Sequence, residues 1–328
     1  MRLRLPLRNG RLSLQAPLNR NRLARRIWPE ERVWPEGTGP DKPGGGESIP
    51  RRIAFINEKG GSAKTTLVAN MAAFLAGQRG RRVLAIDLDP QGQLGKVLGV
   101  DVRAQSRSAL DLLLDEVLDG SALDPRPEVS ESGEAAGLPR IHSRIPGLDL
   151  VVANKALALY PGFAASAEDP TGRLARTLDE SPELSDYDFV LMDAPPSFGP
   201  LTLNVLRAAR EVVIPVPLTF LALDGCAELL RTLHTVRTRY ENPALRVTMV
   251  VPTFYRRTRL AHEILDSLKA RFPKELAQTV LGFHVKIDEA QSHGLSIFEY
   301  APGDRAARAL AALAEELELR QPSHGDTP

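Results

Sequence analysis

Six short apolar runs rich in β-branched residues punctuate the chain, at 53–57, 83–87, 148–152, 189–193, 212–216 and 247–251. Several lack the alternation that marks a strand with one wet face, so they predict strands covered on both sides. Between them, apolar residues recur at helical spacing over 64–78, 201–209, 223–240, 259–271 and 304–317. Strand and helix in turn predict a doubly wound α/β fold, a mostly parallel sheet with helices on both faces. The stretch 121–139 is rich in Pro, Gly and Glu and predicts a surface loop.

Residues 1–50 break this pattern. Arginines crowd the first half, and a Pro/Gly stretch ends at Lys42-Pro43-Gly44-Gly45-Gly46. No apolar period runs through them, which predicts a disordered basic extension, with a tether adding electrostatic affinity for DNA as the alternative. The expected organisation is therefore an extension over 1–50, one large α/β domain over 51–320 and a flexible tail over 321–328.

Composition narrows the function classes. With 328 residues and 43% hydrophobic content the chain can bury a large core. Its net charge of +1 demands no nucleic acid or membrane, so any basic surface must be local. A single cysteine, Cys226, excludes a disulfide framework or an intramolecular CxxC pair and fits a reducing cytoplasm. No apolar run approaches the roughly 20 residues that span a bilayer, and the N-terminal region lacks the apolar core of a signal peptide. The six histidines lack metal-ligand spacing.

The chemistry concentrates after the first strand, in Lys59-Gly60-Gly61-Ser62-Ala63-Lys64-Thr65-Thr66. A strand, a glycine loop and Lys-Thr at a helix start present backbone N–H groups and a helix dipole to phosphate oxygens. In that arrangement Lys64 sits between the β- and γ-phosphates, Thr65 offers its hydroxyl to magnesium, and Thr66 adds a contact to the α-phosphate.

The extra Lys59 makes this segment resemble the ParA/MinD family of deviant Walker A ATPases (K-G-G-x-G-K-[ST]), nearest to its ParA/Soj chromosome- and plasmid-partitioning branch. Two further segments resemble the same family: Asp87-Leu88-Asp89-Pro90-Gln91-Gly92, and the run 189–193 closing on Asp193-Ala194-Pro195-Pro196. The resemblance covers about residues 51–317. It implies a P-loop NTPase fold with ATP and Mg2+ as ligands, and a homodimer in which Lys59 crosses to the partner's nucleotide. Asp87 and Asp193 would lie at the magnesium with Thr65, and Asp89 would position the attacking water, which makes Lys59, Lys64 and Asp89 the catalytic set. Pro252, Thr253 and Phe254 would lie beside the adenine. Two positions depart from ordinary P-loops: Glu58 replaces the first glycine, and Ala63 replaces the glycine before Lys64. If Ala63 needs a positive φ, the loop is strained by about 1 kcal/mol or more.

Positive charge in the C-terminal third, including Arg231, Arg237, Arg256, Arg257, Arg259 and Lys286, suits non-specific phosphate binding. The partitioning branch implies non-specific DNA binding by an ATP dimer, release by a ParB-like or other stimulating partner, and a cytoplasmic, nucleoid-associated location. The acidic 310–319 segment suits an anionic membrane poorly, so no stable membrane association is expected. A MinD-like positioning ATPase, an ATP-sensing dimer with little turnover and a metabolic ligase on the same scaffold are the alternatives.

Overall fold

The computed structural model describes residues 49–114, 137–165, 167–220, 222–240 and 242–320. Among these, β1 (Arg51–Phe55), β2 (Val83–Asp87), β3 (Ile141–His142), β4 (Leu148–Val151), β5 (Phe189–Asp193), β6 (Glu211–Pro217) and β7 (Arg246–Thr253) form one sheet. The strand order is β3-β4-β2-β5-β1-β6-β7, and every neighbouring pair is parallel except β3 with β4. The helices are α1 (Lys64–Gly77), α2 (Gln93–Val97), α3 (Tyr160–Ala164), α4 (Arg173–Glu180), α5 (Pro200–Ala208), α6 (Ala222–Arg239), α7 (Arg259–Arg271), α8 (Val285–Ser292), α9 (Ile297–Tyr300) and α10 (Arg305–Leu319).

Alternate strand residues feed two cores, one on each face of the sheet. Ala54, Leu84, Ile86, Val190 and Met192 join the core under α3 to α7. Ile53, Phe55, Val83, Ala85 and Leu191 join the one under α1 and α8 to α10. Helix α1 is buried continuously from Leu67 to Ala76, because the sheet lies on one side and α9 and α10 cover the other, with Phe74 and Phe298 rings 5.4 Å apart. The three-layer arrangement expected from the sequence is the one found.

Boundaries differ where side-chain partners, rather than periodicity, extend a strand. β1 begins at Arg51 instead of residue 53 because its arginines are paired. Arg51 Nε and Nη2 donate to the buried Glu211 at 2.9 and 2.8 Å, and Arg52 meets Asp179 at 2.6 Å. Residues 56 and 57 leave the strand. β7 runs on through Pro252 and Thr253, which pair with Val216 and Pro217, so these two residues close a strand rather than open a loop. Strand β3 was not predicted. It is only two residues long and is tied to β4 by side chains: Asp149, opposite His142, lies 2.7 Å from its Nδ1 and accepts from Tyr187 Oη at 2.6 Å. Helices α2, α3, α4, α8 and α9 were also not predicted; each has eight residues or fewer, too short for a period to declare itself. The expected loop at 121–139, except its last three residues, the extension over 1–48 and the tail 321–328 lie outside the described residues.

Candidate nucleotide site

The parallel register sets the geometry. Phe55 pairs with Asp193, and Asp193 with Asp87, so β1, β5 and β2 end level at the carboxyl edge of the sheet. Helix α1 starts at that edge, with Thr65 of its first turn against Asp193, the position where doubly wound sheets bind ligands.

The segment 59–66 connects β1 to α1. Gly61 takes φ +69°, a left-handed conformation that glycine adopts freely. A Cβ added at either Gly60 or Gly61 would meet nothing within 4 Å, so the space above the loop is open. Helix α1 has no side-chain cap at its N-terminus, which leaves its first N–H groups to an anion. Ala63 is the residue before the helix and adopts φ +76°, ψ 22°, the left-handed region that L-residues occupy at a cost of about 1–2 kcal/mol. The conditional expectation of strain at Ala63 is therefore met.

The loop is pinned from below. Asn57 donates through Nδ2 to the Pro215 carbonyl at 2.7 Å and accepts from the Lys59 N–H at 2.8 Å. β6 pairs with β1 only through Val213, so Pro215 falls where that side of β6 needs no donor, and its carbonyl is free to hold the loop. Thr253 Oγ1 donates to the Ser62 carbonyl at 3.3 Å, which places the end of β7 against the loop. Phe254, the next residue, takes φ +54°, and its ring lies 6.5 Å from that of Phe283.

The two lysines diverge. Lys64 is buried, and its Nζ donates to the carbonyls of Asn57 at 2.9 Å and Lys59 at 3.4 Å. Burial pulls its pKa below the ordinary lysine range, opposed by Asp193 and Asp89. Lys59 is exposed, and its Nζ donates to Thr219 Oγ1 at 3.2 Å, away from Lys64.

Three carboxylates complete the edge. Asp193 is buried; its Oδ2 accepts from Thr65 Oγ1 at 2.6 Å, while its Oδ1 is buried without a partner among the described residues. Burial raises its carboxyl to about 7, against the pull of Thr65 and Lys64. Asp87 is buried too, and its carboxyl is raised by burial and then by the neighbouring Asp193. Both Asp87 oxygens are committed to shaping the next turn, accepting from the N–H groups of Asp89 at 3.0 Å and Leu94 at 3.0 Å. Asp89 is only partly covered, and its Oδ1 accepts from the Gln91 N–H at 2.9 Å. Two buried carboxyls and an orphaned oxygen beside a threonine hydroxyl fit a hard divalent cation such as Mg2+, which takes one or two carboxylates and fills its remaining positions with water and phosphate. No group of three or more His, Cys, Asp or Glu side chains that could hold a metal ion occurs among the described residues.

The basic positions are more scattered. Arg231, Arg256, Arg257, Arg259 and Lys286 are exposed and Arg237 is half-buried. Arg259 and Lys286 pair with Glu263 at 2.8 Å and Glu289 at 2.7 Å. The Arg256 guanidinium lies 5.9 Å from the centre of the Phe283 ring, which brings the turn after β7 to the start of α8. Asn57, Asn70 and Gln291 escaped the sequence reading. Gln291 lies in the segment 289–294, which resembles the family without assigning it a role, and the partners that distinguish these amides, Pro215, Ile297 and Thr66, are distant along the chain.

A family described as an AAA domain matches residues 50–247. The chromosome-partitioning ATPase Soj of Thermus thermophilus is 40% identical over 271 residues, covering 82% of this chain and 96% of that protein. The sporulation initiation inhibitor protein Soj of Bacillus subtilis is 33% identical, covering 81% and 97%. The chain belongs to the ParA/MinD family. Within it, the similarity to Soj places the chain on the ParA/Soj branch, and it is a ParA-type P-loop ATPase. Among solved structures, cobyrinic acid a,c-diamide synthase from Mycobacterium smegmatis, with a bound ATP analogue and magnesium, is 30% identical with a TM-score of 0.63, covering 81% of this chain and 93% of that one.

Two outcomes follow for this ParA-type site. Ala63→Gly removes a left-handed penalty of about 1–2 kcal/mol and returns about 0.4–1 kcal/mol of chain entropy. A net gain of about 0.5–1 kcal/mol in urea unfolding is expected; a loss would show that the loop carries no strain at this residue. Asp193 titrates well above the carboxylate norm, so its protonated form suits the fold, and its ionisation costs stability as pH rises from 3.8 towards 7. At pH 8, without magnesium or nucleotide, Asp193→Asn should therefore raise stability by about 1–2 kcal/mol while weakening magnesium-dependent nucleotide binding. An unchanged or lowered Tm in the apo protein would contradict burial as the cause of the raised Asp193 carboxyl.

Proposed function

We propose that the chain is an ATP-dependent dimerisation switch for DNA partitioning or cargo positioning. It binds DNA non-specifically as an ATP dimer and is released when a partner stimulates hydrolysis. The divergence of the two lysines carries this reading. Lys64 is buried against its own loop and serves the nucleotide of its own subunit, whereas Lys59 stands exposed on the outer rim, able to reach a nucleotide held by a second copy. Nucleotide state and dimerisation then form one linked equilibrium.

In this reading Thr65 and Asp193 would hold Mg2+, with Asp87 behind them, and the ion would neutralise charge on the phosphate oxygens. Lys64 and the N–H groups at the start of α1 bind phosphate, and Thr66 adds a donor to the α-phosphate. Asp89, more open than the other two carboxylates, orients water. Pro252, Thr253 and Phe254 flank the base, supported by the Thr253 contact to Ser62. Arg256 and Arg257, exposed together after β7, lead the DNA surface. Pairing two weak basic patches by dimerisation raises avidity without new contacts.

The 30% identity to the diamide synthase supports a second reading, an ATP-driven ligase on the same scaffold. Product formed from a carboxylic acid, ATP and an amine donor would favour it over the switch.

With a non-hydrolysable ATP analogue, the wild type should double its mass by light scattering. Lys59→Ala should stay monomeric while holding nucleotide within a few-fold of wild type. Persistent dimers in that variant would sink the interface role. Reversing charge at Arg256→Glu with Arg257→Glu should weaken ATP-dependent DNA binding at least tenfold and flatten its salt dependence by roughly one log unit per lost phosphate contact. Equal salt slopes would remove this turn from the DNA surface.

A further inference from the structure

A threonine pair opens helix α1, yet its two hydroxyls are held differently. Thr65 donates to Asp193. Thr66 Oγ1 instead accepts from Gln291 Nε2 at 2.8 Å, across from α8. A hydroxyl has one proton to donate and lone pairs to accept with. Because Gln291 occupies a lone pair, the Thr66 proton is left to point at an anion above the helix N-terminus.

The other polar atom of Thr66 leads to the same neighbour. Its carbonyl accepts from Asn70 Nδ2 at 2.8 Å, and the Oδ1 of this buried asparagine accepts from the Ile297 N–H at 2.8 Å, at the start of α9. The corner between α8 and α9 thus grips the first turn of α1 from two sides. It also packs against the C-terminal end of α2. Gly294, at φ +64° in the corner, would place a Cβ 2.7 Å from Gly99 Cα and 3.3 Å from the Lys96 carbonyl, at the end of α2, which follows the 87–92 turn. On its outer side α8 carries Lys286, held to Glu289 at 2.7 Å, and Glu289 also accepts from Tyr300 Oη at 2.9 Å.

We infer that Gln291 is a positioning residue for the nucleotide: it aims the Thr66 hydroxyl at the α-phosphate, and through that bond the seating of the α8–α9 corner depends on nucleotide. The inference rests on the reading of residues 59–66 as the nucleotide site. It goes further by naming a residue that touches neither nucleotide nor metal yet links the site to a helix bearing the basic Lys286. The α-phosphate is common to ATP and ADP, so the effect falls on both equally and sets binding rather than the chemical step.

The test is direct binding of fluorescent ADP and ATP analogues to the full chain, with steady-state turnover alongside. Gln291→Ala should weaken both nucleotides about tenfold, raising KM with kcat within twofold. Gln291→Glu should do more harm, since a carboxylate takes the Thr66 proton away from phosphate. On a Thr66→Val background, Gln291→Ala should add nothing, because its only route is removed. Hydrogen exchange supplies a readout independent of activity: nucleotide should slow exchange of the Ile297 amide in the wild type and not in Gln291→Ala. Wild-type affinity in Gln291→Ala, or full additivity with Thr66→Val, overturns the inference while leaving the nucleotide site standing. A wild-type chain that binds neither nucleotide overturns both.

Discussion

Two carboxyls that repel each other in a buried place organise this molecule. Parallel pairing puts Asp87 and Asp193 side by side at the ends of β2 and β5, sealed from solvent by the helices on both faces. Neither ionises comfortably there. Asp87 eases its position by accepting two backbone N–H groups and so shapes the turn that carries Asp89. Among the described residues Asp193 has the Thr65 hydroxyl for one oxygen and no partner for the other. Two buried carboxyls with one oxygen to spare form an arrangement that a divalent cation would complete.

The loop facing these carboxyls is built in the same spirit. Its position is determined from underneath, by Asn57 on Pro215 and by Thr253 on Ser62, while its upper surface is left without side-chain caps or covering atoms. Ala63 sits in a conformation that glycine would adopt more cheaply. Its strain is small beside the domain's total stability, and the surrounding contacts hold it in place. The result is a rigid cradle for phosphate with one exposed lysine at its rim. That lysine turns a nucleotide site within one chain into a candidate interface between two.

Coupling outward depends on elements that look unremarkable along the chain. The α8–α9 corner touches the first turn of α1 by hydrogen bonds and the end of α2 by direct backbone packing. It therefore meets the helices that follow both the 59–63 and the 87–92 loops. The basic face after β7 reaches the beginning of α8 through Arg256 and Phe283. Short elements placed between two loops in this way can shift as units, whereas the strands beneath them cannot.

The sheet, its parallel sense and the helices on both faces were legible in the apolar runs, because a strand covered on both sides must be apolar throughout. The glycine loop before α1 and the aspartates at the ends of β2 and β5 were equally legible as positions, since each lies in a short motif of residues adjacent in sequence. What the chain alone left open were the features made by residues far apart. Arg51 extends β1 because Glu211 lies beside it, and β3 exists because Asp149 ties it down. Ala63 takes its positive φ where the short path from β1 into α1 demands it. Gln291 meets Thr66 because α8 and α1 pack into the same core on one face of the sheet. Local pattern thus determined which elements form and which chemistry they carry. Only tertiary packing decided which side chains meet, since such meetings depend on register and layer stacking that no local stretch encodes.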